Sequence, residues 1–332
     1  MLVRPTTMPV MASKLIDQIG HTPLIKLANI LQNLPCSVSA KAELYNPGGS
    51  IKDRLAKSLI ESAEKDGRLR PGGTVVEVTS GNTGIAVSWI CAAKGYRAVI
   101  VMSDKNSEEK QNMMKAYGAE LILTPHTVKP DDPRSNYMTA ERLASQIPNS
   151  VYLDQYNNPA NIDCHYHTTG PEIWEQTNGE VDCLIAGAGT GGTISGVGRF
   201  LKERNRAIEI IAVDSEGSVF TSYFESGKVV VAEHYEVEGI GSDKLVGAMD
   251  FGCVDKFMQI SDKEAFLATR ELAKIEGIFA GGSSGAIIVA AKKYLSGRPD
   301  IKCPVIILPD SGNRYLSKAY NDNWMKKMGY LD

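Results

Sequence analysis

The chain has 332 residues, room for two domains and a large core, and its 43% hydrophobic and 23% charged content is that of an ordinary globular protein. A formal net charge of −3 with no basic block argues against a nucleic-acid partner. No apolar run reaches the roughly 18 residues of a membrane span, and "MLVRPTTMPVMASK" lacks an apolar stretch of secretory length, so a cytoplasmic protein is expected.

In chain order, "NPGGSIKDRLAKSLIESAEKDG" (46–67) is a glycine turn that becomes an amphipathic helix. Lys52 falls in its first turn, where a cation faces the positive end of the helix dipole. One reading has Ser50 capping the helix, Asp53 supporting the cap and Lys52 in water. "TVVEV" is a strand, "GIAVSWICAAKG" a helix closed by Gly95, "YRAVIVMS" a strand, "EEKQNMMKAYG" a helix ended by Gly118, and "AELILT" a strand. The charge run "SDKNSEEK" before that second helix reads as a solvated helix start, and "TPHTVKPDDPRSN" as a surface loop. "NYMTAERLASQI" and "VYLDQ" repeat the helix–strand pattern, which resumes after residue 170 with "PEIWEQT", "VDCLIAG", "TISGVGRFLKERN" and "IEIIAVD". Ser261 and Glu264 form a capping box for "DKEAFLATRELAKIEG", and "PVIILP" is a last buried strand before a C-terminal helix. Repeated βα units imply parallel sheets covered by helices, and their number implies two α/β domains.

The six cysteines form no CxxC pair and read as reduced core thiols. "CHYH" (Cys164–His167) is the only metal-like cluster, too cramped for a tetrahedral cage and without a second half, so no metal is expected.

Glycine loops carry the chemistry. "AGAGTGGT" (Ala186–Thr193) follows a strand and opens a helix, a backbone arrangement that binds phosphate. Gly187, Gly189 and Gly192 satisfy GxGxxG, and Asp214 ends the next strand where a dinucleotide fold places its ribose-binding acid, so a nicotinamide-dependent oxidoreductase is a rival reading. "TSGNTG" (Thr79–Gly84) offers hydroxyls, a carboxamide and backbone N–H groups to a carboxylate. "GGSSGA" (Gly281–Ala286) reads as a third strand-to-helix loop and "LPDSGNRY" (Leu308–Tyr315) as a fourth. Four small polar loops around one lysine suit a compact cofactor with a single phosphate, held covalently by an amine.

With "NPGGSIKDR", "TSGNTG", "HYHTTGPEIW", "GTGGT" and "EGIG" in this order, the chain resembles the fold-type II pyridoxal-phosphate enzymes, in the cysteine synthase and cystathionine β-synthase group, from "IGHTPLIKL" to "ILPDSGNRYLS". The resemblance implies two open, mainly parallel α/β domains with the cofactor cleft between them: a smaller one at 47–157, and a larger one at 13–46 plus 158–332. By the same resemblance Lys52 forms the Schiff base with pyridoxal phosphate, and the helix N-terminus supplies the reason its amine is neutral. Asn82 would meet the cofactor's 3′-oxygen. Gly189, Thr190, Gly191, Gly192 and Thr193 would cradle the phosphate, with Pro309 and Asp310 also at the cofactor. Thr79, Ser80, Gly81, Thr83 and Gln155 would hold the substrate carboxylate. Ser283 would partner the pyridine nitrogen; a neutral hydroxyl there makes a weaker electron sink, which suits α,β-elimination to an aminoacrylate followed by addition of a nucleophile. Ser283 also reads as a helix cap and Asn82 as a turn residue.

Tyr156, where cysteine synthases more often have Phe, and Glu238 beside Gly239, where they more often have Gln, lean toward the cystathionine β-synthase catalytic core. Ser242, where those enzymes commonly have Tyr, departs from it. No haem-binding segment fits before "LIDQIGHTPL", and no regulatory module follows, so neither haem nor S-adenosylmethionine control is expected. The expected reaction is β-replacement on L-serine or an activated serine, with homocysteine giving cystathionine and Glu238 approaching the acceptor's amine. The alternatives are cysteine synthesis from O-acetylserine and sulfide, and a catalytically silent sensor that binds a partner. A homodimer is expected.

Overall fold

The computed structural model describes residues 14–79, 81–104, 107–125, 127–128 and 132–332. Ten strands occur among them: β1 (Leu24–Lys26), β2 (Ser39–Ala42), β3 (Thr74–Val78), β4 (Arg97–Ser103), β5 (Glu120–Thr124), β6 (Ser150–Tyr152), β7 (Cys183–Gly187), β8 (Glu209–Ser215), β9 (Lys256–Ile260) and β10 (Pro304–Leu308). They form a four-stranded sheet in the order β5-β4-β3-β6 and a six-stranded sheet in the order β1-β2-β10-β7-β8-β9. Every pairing is parallel except that of β1 with β2.

Both sheets are covered on both faces, which is why their central strands read as unbroken apolar runs. All five residues of β3 and all five of β10 are buried. Leu55, Leu59, Ile85 and Ile90, from helices Lys52–Lys65 and Asn82–Lys94, pack with Val75 and Ile100 on one face of the smaller sheet. Ala140 of helix Asn136–Gln146 packs with Val76, Val78, Val99 and Val101 on the other. In the larger sheet, side chains alternating along β7 divide the core. Ile185 packs with Ile287 and Ile288 on one side, and Leu184 and Ala186 with Ile194 and Val197 on the other.

Helix ends follow local chemistry. Gly95, Gly227 and Gly277 close three helices in the left-handed conformation, at φ 77°, 69° and 70°. The Ser261–Glu264 capping box is formed. The loop at Gly281 differs from expectation. Helix Asp262–Glu276 runs into an extended link in which Ala280 makes a lone bridge to Ser311, so the loop joins two helices and follows no strand. The other three glycine loops leave the carboxyl ends of β3, β7 and β10, where open α/β sheets bind ligands. Among the described residues, no helix is long and apolar enough to cross a membrane.

Candidate active site

Lys52, Asp53 and Arg54 begin one helix and serve three surroundings. Lys52 lines a cavity with Asn82, Gly189, Thr190, Thr193, Ser283 and Pro309. Burial pushes its ammonium down to about 8, while Cys164 and Asp310 act in the opposite direction. Desolvation is therefore a cause that the helix-terminus explanation of the sequence does not include, and it acts in the same direction, toward the neutral amine. The capping reading also gives way. Ile51 holds the cap position without a side-chain bond, and Ser50 Oγ accepts only a 3.3 Å bond from the Lys52 N–H. Asp53 turns inward instead, accepting from Gly48 N–H at 2.5 Å and Trp89 Nε1 at 3.0 Å. Arg54 forks onto Glu43 at 2.7 and 2.9 Å and reaches Glu172 at 2.6 Å, so a buried ion cluster ties the helix to the larger sheet.

The loop after β7 is built for close approach. Gly191 caps helix Gly192–Arg204 at φ 87°, with no side-chain cap, so the first N–H groups of the helix are open to an anion. A Cβ on Gly189 would lie 2.5 Å from the Gly239 carbonyl oxygen, and one on Gly191 2.5 Å from Met249 Cα. Behind the loop, Asn161 Nδ2 donates to Thr190 Oγ1 at 3.0 Å, and His165 Nε2 lies 3.2 Å from Thr193 Oγ1. The other ring nitrogen of His165 meets Thr169 at 2.9 Å, and burial, with Lys52 and Arg54 nearby, holds the imidazole neutral. His167 is exposed, so the two histidines of "CHYH" face different surroundings. Among the described residues no group of three His, Cys, Asp or Glu side chains is placed to hold a metal.

Asn82 opens its helix and donates from Nδ2 to Asp310 Oδ2 at 2.7 Å, while its buried Oδ1 has no partner among the described residues. Tyr315 donates to the same carboxylate oxygen at 2.6 Å. Asp310 thus acts on Asn82 from behind; it is Pro309 that reaches the cavity wall. Ser283 is buried in that wall and caps nothing, because Gly281 holds the cap position.

A second chamber of about 110 Å³ adjoins, lined by Lys52, Thr79, Gly81, Thr83, Gln155, Tyr156, Glu238 and Gly239 among others. Ser80 lies outside the described residues. The sequence offers this loop's donors as free, but several are engaged. Thr79 Oγ1 accepts from Gly81 N–H at 3.0 Å, Thr83 donates to Gln155 Oε1 at 2.7 Å, and Gln155 Nε2 donates to the Val78 carbonyl at 2.8 Å.

Two features differ from the sequence reading. Lys110, in the run that reads as a solvated helix start, is 2% exposed, lines the second chamber and pairs with Glu238. Its signal was helical spacing: Lys110 and Met114 lie on one face, and Met114 is buried. The second feature is the fate of Asp214. Its carboxylate is consumed by Ser215 N–H at 3.0 Å and by the Thr221 N–H and hydroxyl at 3.1 and 2.7 Å. It is fully buried, so it offers nothing to a ribose.

The residues present fit a phosphorylated pyridine aldehyde. An uncapped glycine cradle suits the phosphate, the orphaned Asn82 Oδ1 is a polar atom in need of a partner, and a desolvated amine suits an aldehyde carbon. Known proteins agree. Residues 15–310 match the family described as pyridoxal-phosphate dependent enzyme. The chain is 46% identical over 319 residues to a cystathionine beta-synthase of Apis mellifera, covering 96% of this chain and 63% of that protein. It is 41% identical over 314 residues to a cysteine synthase of Staphylococcus aureus, covering 92% and 97% respectively. The chain thus spans about six-tenths of the length of the first relative and nearly all of the second. A solved hydrogen sulfide-producing enzyme from Fusobacterium nucleatum superposes with a TM-score of 0.84 at 34% identity, over 92% of this chain and 98% of that one. With sequence, fold and cradle in agreement, the chain belongs to the family of pyridoxal-phosphate dependent enzymes.

Proposed function

We propose that the chain performs β-replacement on L-serine or an activated serine, and that its principal reaction joins serine to homocysteine, forming cystathionine and water. The observation that carries the reading is that Lys52, Asn82, Thr190, Thr193 and Ser283 line one cavity, with the Lys52 amine brought to about 8. Bound there, pyridoxal phosphate supplies an aldehyde carbon for Lys52 and a conjugated ring that draws electrons from the donor's Cα.

The chain's residues do the rest. The N–H groups of Gly191, Gly192 and Thr193 hold the phosphate, with Thr190 steadied by Asn161. Asn82, fixed by Asp310, orients the ring's oxygen. Ser283 brings a hydroxyl where a carboxylate would enforce a stronger electron sink, which favours loss of the β-substituent. Lys52 Nζ takes the donor's Cα proton and delivers it to the departing oxygen, then takes the thiol's proton as the sulfur bonds to Cβ and returns that proton to Cα. Thr79, Ser80, Thr83 and Gln155 receive the donor carboxylate as segment 47–157, the smaller domain, closes on the larger. The protein works in the cytoplasm as a homodimer.

A second reading, cysteine synthesis from O-acetylserine and sulfide with release of acetate, is favoured by the near end-to-end match to the cysteine synthase. Purified enzyme given each donor with each thiol, with products read by mass spectrometry, decides between them. Cystathionine from serine and homocysteine is the expected result; cysteine from O-acetylserine and sulfide alone overturns it. Borohydride reduction is expected to leave a phosphopyridoxyl group on Lys52.

A further inference from the structure

Two chambers meet at Glu238. The inner one, about 110 Å³, contains Lys52 and Lys110. The outer one, about 520 Å³, opens past Tyr137, Tyr235 and Glu236 and contains Lys318. Glu238 lines both. One of its carboxylate oxygens pairs with Lys110 on the inner side, and the other lies 3.3 Å from Lys318 on the outer side. Burial pushes the Glu238 carboxyl up, but the two ammonium groups outweigh it and hold it below the ordinary carboxylate range. Lys110 also lies 4.8 Å from the Tyr315 ring centroid, so both its ionic and its aromatic contact face the site.

Resting on the β-replacement reading above, we propose that Lys110 and Glu238 form an acceptor subsite that opens by charge exchange and selects thiols bearing both an ammonium and a carboxylate. The acceptor's ammonium takes the place of Lys110 on Glu238, and its carboxylate takes the place of Glu238 on Lys110. Lys318 keeps hold of Glu238 from the outer chamber. Every charge that loses a partner gains another.

A thiol with an ammonium alone opens the clip by leaving the buried Lys110 without an ionic partner, one with a carboxylate alone leaves Glu238 only Lys318, and hydrosulfide cannot bridge both sides; each outcome costs more than the exchange with a zwitterion. The outer chamber works in the same direction. It carries Glu233, Glu236, Glu238 and Asp243 against Lys318 and His234, an acidic mouth that disfavours anions and tolerates a zwitterion.

The test has two stages. Each donor is tried alone: O-acetylserine should release a burst of acetate equal to the enzyme concentration, and serine should exchange its Cα proton with deuterated solvent; absence of both events from the loaded wild type overturns the β-replacement reading, and this subsite with it. Where either event occurs, homocysteine, cysteine, cysteamine (amine only), 3-mercaptopropionate (carboxylate only) and hydrosulfide are compared as acceptors by kcat/KM. The two amino-acid thiols should exceed the other three by about tenfold or more, the loss expected for one unpaired charge. Lys110→Met should lower the value for homocysteine about tenfold more than that for cysteamine, which has no carboxylate for Lys110 to hold. Glu238→Gln should lower homocysteine more than 3-mercaptopropionate. One-charge thiols that match homocysteine in the wild type, a comparison that needs no variant, overturn the subsite, as do variants that depress all acceptors equally.

Discussion

The glycine loops after β7 and after β3 both join a parallel strand to a helix, yet they are made differently. The first works by the absence of side chains: the places where Cβ atoms of Gly189 and Gly191 would stand are filled by the Gly239 carbonyl and by Met249. Its donors are backbone groups held in place by packing. The second is held by side-chain bonds, Thr83 to Gln155 and Gly81 to Thr79, which can be exchanged for a ligand's oxygens at little net cost. A group that must stay through every turnover suits a cradle that cannot rearrange. A substrate that must come and go suits bonds that can be traded.

Removing the one residue that serves both loops should have the largest effect. Lys52→Ala is expected to lower β-replacement by roughly 10³-fold or more, since a single amine carries the proton transfers. The cradle survives in this variant. Cofactor retention after dialysis, read by absorbance, should therefore fall far less than turnover; complete loss of cofactor would mean that the lysine, not the β7 loop, supplies the hold.

Next is the cradle itself. Gly191→Ala places a side chain at φ 87° with its Cβ 2.5 Å from Met249 Cα. Backbone strain alone costs about 1–3 kcal/mol. The denaturant midpoint should drop and cofactor affinity should fall with it, while a variant with wild-type affinity would remove the contrast between the loops. Smaller again is Thr83→Val, which takes one exchangeable bond from the β3 loop. Its expected signature is a KM for the donor raised about tenfold with cofactor affinity unchanged. Equal losses in both quantities would show that the loops are not separable.

This contrast also marks what a sequence discloses. The β7 loop was legible because its chemistry is local: consecutive glycines between an apolar strand and a helix leave few alternatives. The long buried strands were legible for the same reason. β2 was not, because "SAKA" carries a fully buried Lys41, whose ammonium is satisfied by Glu172 at 2.6 Å, Gln176 at 2.8 Å and the Thr22 carbonyl at 2.7 Å, all distant in the chain. The engagement of Asn82 by Asp310 and of Thr193 by His165 is equally non-local. Lys110 lay between these cases: helical spacing pointed it inward, but its partner lies 128 residues away.

The smallest expected effect belongs to the residue that couples the lysine helix to the helix of the β3 loop. Asp53 holds the Gly48 N–H and, through Trp89, helix Asn82–Lys94. Burial pushes its carboxyl up from 3.8 to about 6, with the Trp89 and Gly48 bonds and Arg314 opposing. The folded protein therefore holds this proton more firmly than the unfolded chain does. Asp53's contribution to stability is fully present below about pH 4 and is lost as pH rises toward 6 and just beyond, where the folded state must ionise a buried acid. Glu172 works in the opposite sense in a lower window. Burial acts to raise its carboxyl, but Arg54 and Lys41 bring it down to about 2, so its contribution is present above its ordinary 4.5 and disappears as pH falls toward 2. The two are separable between about pH 5.5 and 6.5, where Glu172 is nearly fully ionised in both states while Asp53 still titrates in the folded one. Asp53→Asn keeps the shape and removes the proton. In that window its unfolding free energy should be flatter with pH than that of the wild type, at a cost of about 1 kcal/mol for the acceptor it lacks. Identical slopes for the two proteins would place the titration elsewhere and leave Asp53 a purely geometric link between the helices.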